Sequence, residues 1–187
     1  MSSALEGKAV LVGVSGGIAA YKSAHLVRLL CTRGARVEVV MTEHATQFVA
    51  PLTFETLSGT RVLVQMFPSE WPGEPDHVRA AREAHALVVA PATANILAKA
   101  AHGLADDLLS TILVTAVCPQ LFAPSMHESM YRNRAVQRNI QILREMGHHI
   151  VGPTEGFLAS GDTGVGRMVE PQEIVAALEQ ILQPPTA

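Results

Sequence analysis

The chain has 187 residues, a length that sets an expectation of one domain over 1–187. Apolar residues make up 48% and charged residues 17%, which excludes disorder, while 14 Lys+Arg against 17 Asp+Glu give a formal net charge of -3 and no basic face for nucleic acid. Aromatics at 4% leave little for base stacking, Cys31 and Cys118 make neither a disulfide framework nor a CxxC zinc pair, and no apolar run is long enough to span a bilayer, so a cytoplasmic protein without metal or membrane is expected.

Residues 9–14 (AVLVGV) predict a strand that ends in Ser15-Gly16-Gly17. A helical pattern follows over 19–33, with Gly34 as its stop. The alternating run 36–41 (RVEVVM) predicts a second strand, so the first 41 residues form a strand–helix–strand unit with parallel strands. Helical stretches are expected from 42 to about 49 and over 51–58, the second opening on proline. The stretch 68–75 (PSEWPGEP) is a loop, and 77–84 a short helix. A third strand, 86–90, is apolar throughout and so buried on both faces. Helices 96–102 and 106–116, a fourth strand 120–123, a helix 134–146 stopped by Gly147, and a fifth strand 149–151 follow. A stretch with five glycines, 152–167, precedes a closing helix 173–182 and a frayed tail. Strands alternating with helices mean an α/β fold with a mainly parallel sheet and helices on both faces.

In open parallel sheets ligands bind beyond the carboxyl ends of the strands. Here those ends carry Ser15-Gly16-Gly17-Ile18, Met41-Thr42, the segment 91–95, the segment 124–127 and the glycine-rich 152–167. Glycines before a helix start let backbone approach a phosphate, and Ser15 and Thr42 add hydroxyls that suit a single phosphate. The motif is neither GxGxxG nor a P-loop, so a dinucleotide or nucleoside triphosphate is not favoured. A tight strand-to-helix turn without ligand stays open on these residues alone. His77 reads as a base or anion binder, or as a surface or capping histidine; His127, directly after a strand, reads as a ligand group or a bland one with equal weight. His148-His149 are expected to cap the preceding helix end. Asp106-Asp107 are read as first-turn acids or a link between subunits.

The blocks SGGIAAYK (15–22), MTEHATQFV (41–49), His77, PATAN (91–95), PSMHESMY (124–131) and ASGDTGVGRM (159–168) occur in the order seen in flavin-containing cysteine decarboxylases. The chain resembles this family over about residues 7–178. The resemblance implies a Rossmann-like domain, assembled as a trimer or a dodecamer of trimers, with FMN at the subunit interface. It implies that Gly16, Gly17 and Ile18 wrap the FMN phosphate, that Val40, Met41 and Thr42 line it, and that Thr93, Ala94, Asn95, Ile96 and Ser125 meet the flavin. It makes His77 the catalytic base and His127, Met130, Phe157 and Ala159 substrate contacts.

Two positions depart from the family pattern. His127 stands where many members have a carboxylate-binding asparagine, and Ser160 where members that make a saturated amine have a cysteine. A hydroxyl is a far weaker acid than a thiol. The expected reaction is therefore oxidative decarboxylation of a peptide's C-terminal cysteine that stops at the enethiol. A chain ending at 187 without a synthetase region points the same way, as does Phe157, which stands where some phosphopantothenoylcysteine enzymes have an arginine. The alternative is phosphopantothenoylcysteine decarboxylation in coenzyme A synthesis, and a more distant one is a non-catalytic flavin-binding regulatory subunit.

Overall fold

Strand β1 (Ala9–Val14) is buried along its whole length, and its alternation sets up a core on either side of it. Val10, Val12 and Val14 enter one apolar cluster, while Leu11 enters the other. Gly13 faces the second cluster, where a Cβ would lie 2.6 Å from a Leu109 methyl, so the helix there packs directly on strand backbone. The computed structural model describes residues 3–67, 73–159 and 161–183.

Five parallel strands lie in the order β2-β1-β3-β4-β5, with β2 at Arg36–Met41, β3 at Ala86–Ala92, β4 at Gln120–Pro124 and β5 at His149–Ile150. The order reverses direction at β1, so the loops after β1 and β3 diverge there and leave a crevice at the carboxyl edge. Helices α1 (Ala20–Thr32), α2 (Pro51–Ser58) and α8 (Pro171–Leu182) contribute to the first cluster. Helices α3 (Asp76–Glu83), α4 (Ala94–His102), α5 (Leu108–Thr115) and α7 (Arg134–Glu145) contribute to the second. The short α6 (Glu128–Tyr131) follows β4.

The α/β reading and its parallel sheet match this architecture. Local departures have local causes. The stretch after Thr42 is a 3-10 turn, Glu43–Gln47, closed by the Thr42 hydroxyl accepting from the Ala45 N–H. The helix expected from 106 begins at Leu108, because Asp107 is its N-cap in extended geometry and shares a reciprocal capping box with Ser110. The glycine-rich stretch is an antiparallel hairpin, β6 (Thr154–Phe157) and β7 (Thr163–Arg167), separate from the main sheet. His148 does not cap α7 with its ring; its backbone N–H donates to Leu143, and the imidazole packs edge-on to Phe122 at 5.8 Å. Among the described residues no helix is long and apolar enough to cross a membrane, and no group of three His, Cys, Asp or Glu could hold a metal.

Candidate functional site

The crevice opens into a cavity of about 810 Å³, within the range of small-molecule sites. Its floor is the loop Ser15–Ile18 with the start of α1. Ala19, the N-cap of α1, offers no side-chain acceptor, and the Ala20 and Lys22 N–H groups donate to the Gly17 and Ala19 carbonyls, so α1 turns the positive end of its dipole and the glycine-loop backbone to the cavity. An anion suits that position.

The two glycines have different reasons to be there. A Cβ on Gly16 would lie 2.4 Å from the Cβ of His44, so the 3-10 turn packs against bare backbone. A Cβ on Gly17 would meet only the Thr93 methyl, at 3.3 Å. Gly16 thus holds the loop and the turn after β2 close together, a requirement invisible in the sequence.

Ser15 lines the cavity, yet its hydroxyl is committed inside the protein. It donates to the Pro91 carbonyl at 2.7 Å and accepts from the Thr93 N–H at 3.1 Å, with the Thr93 hydroxyl 3.0 Å away. Ser15 therefore ties the ends of β1 and β3 together, and the expected phosphate donor is a structural link. The Thr42 hydroxyl accepts from Ala45, which leaves its proton free to donate.

Thr93, Ala94, Asn95, Ile96 and Ser125 line the cavity, as do His127, Met130, Phe157 and Ala159. Val40 and Met41 do not. Both are fully buried, Val40 in the second apolar cluster and Met41 in the first, because neighbouring strand residues point to opposite faces. Of that trio only Thr42 reaches the cavity.

His77 is also outside the cavity of its own chain. It is the second residue of α3, beside buried Asp76, whose carboxylate accepts from Arg61 at 2.8 Å. Ser160 lies outside the described residues.

His127 is the N-cap of α6. Its Nδ1 accepts from the Ser129 N–H at 3.2 Å, and its Nε2 stands 4.0 Å from the Asp162 carboxylate. Glu128 beside it hydrogen-bonds to Arg132, which holds the Glu128 carboxyl below its ordinary range.

Several lining residues escaped sequence reading. Lys99 of α4 reaches Asp106 at 2.6 Å and Asp107 at 2.5 Å. Burial alone would lower its pKa, but the hydrogen bonds it donates to both aspartates outweigh it and raise the lysine above its ordinary value. The adjacent aspartates converge on one cation because Asp107 is a cap with extended backbone and not part of the helix. Lys22 and Arg167 were missed as well, and the spacing of single basic residues carries no signal for them.

Residues 1–183 match the model of the family described as Flavoprotein. The chain is 44% identical over 180 residues to the coenzyme A biosynthesis bifunctional protein CoaBC of Vibrio vulnificus, covering 96% of this chain and 45% of that protein. It thus spans less than half the length of that curated relative. Among solved structures, the FMN-dependent cysteine decarboxylase SpaF aligns at 35% identity and a TM-score of 0.82, covering 96% of this chain and 97% of SpaF. A cysteine-to-serine mutant of PPC decarboxylase complexed with pantothenoylaminoethenethiol aligns at 32% identity and a TM-score of 0.83, covering 94% and 98%.

Proposed function

From the premise that the chain belongs to the Flavoprotein family, we propose that it binds FMN in this cavity and decarboxylates the cysteine of 4'-phosphopantothenoylcysteine. The observation that carries the choice of substrate is the 44% identity to CoaBC over 96% of the chain, against 35% to SpaF. The peptide substrate expected from Ser160 becomes the second reading. The similarity to SpaF over nearly the whole of both chains is what favours it.

The cavity suits FMN on its own chemistry. One anion-binding helix start takes a lone phosphate, and the surface that lines the cavity is more apolar than polar, with hydroxyl, amide and charged side chains set into it. Bound in such a site, FMN would supply two-electron oxidation of the cysteine Cβ–S unit, which makes the bond to the carboxylate labile, and would return the same two electrons, so that the net change is release of carbon dioxide and replacement of the carboxylate by hydrogen.

The chain's residues serve this chemistry by position. Gly16 and Gly17 bring backbone to the phosphate, and Thr42 donates a hydroxyl proton. His127 presents its Nε2–H to the substrate carboxylate. His77 is the base that takes the thiol proton, and it comes from a second copy, since it lies outside its own cavity. Ile18 and Tyr21, 59% and 60% exposed at the cavity mouth, are the surface such a copy would cover in a homo-oligomer.

The test is product mass from two substrates, phosphopantothenoylcysteine and a short peptide ending in cysteine, incubated separately with purified yellow protein. Loss of carbon dioxide alone from the first supports the proposal. Loss of carbon dioxide and two hydrogens from the peptide, with the first substrate untouched, would replace it with the second reading.

A further inference from the structure

The hairpin β6–β7 forms a wall of the cavity without belonging to the main sheet. A two-stranded ribbon is marginal by itself, so something must hold it in place. One tie is at Gly166, whose carbonyl accepts from the Met126 N–H at 2.9 Å. A Cβ on Gly166 would lie 2.1 Å from the Met126 oxygen, so this contact is backbone against backbone.

A second is the Glu128 carboxyl of α6, which accepts from the Val165 backbone, and a third is Lys22. Its side chain is 10% exposed and runs from α1 to the end of β7. The ammonium donates to the Met168 carbonyl at 3.3 Å and to Glu170 at 2.8 Å. The same Glu170 oxygen accepts from Arg167, and Glu170 opens α8 through a capping box with Glu173. One ammonium therefore joins the helix that starts at the glycine loop, the outgoing end of the hairpin and the start of the closing helix.

Lys22 lines the cavity, and a cation there invites assignment to the cofactor phosphate. The geometry argues otherwise, because its charge is met by Glu170 and it also donates to the Met168 carbonyl just past β7. We infer that Lys22 is a positioning residue that clasps the end of β7 to α1 and so sets where Phe157, Leu158 and Ala159 stand over the substrate. Substrate affinity depends on this clasp, and cofactor retention does not. The kinetic part of this inference rests on the function proposed above; the structural part does not.

Lys22→Met is a fair probe, since Glu170 keeps Arg167 as a partner and no buried charge is orphaned. In the full-length flavin-loaded protein, amide exchange over Thr163–Arg167 should accelerate by about tenfold while β1 and β3 keep their protection. KM for phosphopantothenoylcysteine should rise by about fivefold or more with kcat within about twofold, at unchanged flavin content. Lys22→Arg, which keeps a cationic donor, should restore both. Exchange in β7 that stays at the wild-type rate, or that rises equally in β1 and β3, would overturn the inference. Faster β7 exchange in a protein that turns over neither candidate substrate would support the clasp and sink the proposed reaction instead.

Discussion

The Ser129 backbone N–H donates to Nδ1 of His127 at 3.2 Å, and the Ser129 hydroxyl lies 2.8 Å from the same nitrogen. A backbone N–H has no other role than donor, so this nitrogen is the acceptor and neutral His127 carries its proton on Nε2. The imidazole thus offers the cavity an N–H, as an asparagine amide would. A hydrogen bond to a charged group is worth about 1.5–3 kcal/mol, or roughly tenfold to a hundredfold in binding. His127→Asn keeps a donor and should stay within about threefold in kcat/KM, while His127→Leu should lose about tenfold to a hundredfold. Steady-state carbon dioxide release from phosphopantothenoylcysteine measures both. Equal losses in the two variants would remove His127 from the carboxylate site.

Gly16 and Gly17 should respond differently to the same substitution. Gly16→Ala drives a methyl into His44 and must push the 3-10 turn, with Thr42, off the loop. Flavin content after purification should fall by about tenfold or more. Gly17→Ala meets only the Thr93 methyl and should retain most of its flavin. Visible absorbance against protein concentration decides, and equal flavin loss in both variants would contradict the packing argument.

If His77 serves a neighbouring copy, two inactive variants should rescue each other. His77→Asn should lower kcat by about a hundredfold or more, as expected for loss of a general base. Co-expression with Gly16→Ala chains should return a fraction of the activity, because some mixed interfaces then pair an intact flavin loop with an intact His77. Mixed oligomers no more active than either parent would place the base within its own subunit or elsewhere.

Stability should fall on acidification in two steps. Burial of His148, with some repulsion from His149, lowers its pKa below the ordinary imidazole value of about 6.5. A histidine depressed in the folded state contributes stability that is present above the unfolded pKa and is lost as pH falls through the folded one. Glu170 is held low by Lys22, Glu179 by Arg33 and Asp106 by Lys99, so their contributions fade only below the ordinary carboxylate range. The melting temperature should therefore drop first below about pH 6.5, and again below about pH 4.5. His148→Gln should flatten the first step and leave the second. Melts of both proteins across that range would show it, and an unchanged first step would shift the cause to another group.

The α/β architecture was legible in the sequence because strand and helix periods are local properties. The run 9–14, the alternation in 36–41 and the apolar 86–90 each carry their own signal. The predicted strand ends located the carboxyl-edge loops, and most of the residues expected there from the family blocks do converge on one cavity. What the residues do there was decided by tertiary structure. Ser15 reads as a phosphate donor until Pro91 and Thr93, 76 and 78 residues away, are seen to occupy its hydroxyl. Val40 and Met41 read as lining until the sheet takes one into each core cluster. Lys22 reads as one more helix residue until it meets Met168 and Glu170, 146 and 148 positions on. Local periodicity depends on neighbours in sequence, whereas a hydroxyl or an ammonium takes its partner from whatever the fold brings within about 3 Å, and a single sequence does not record that distance.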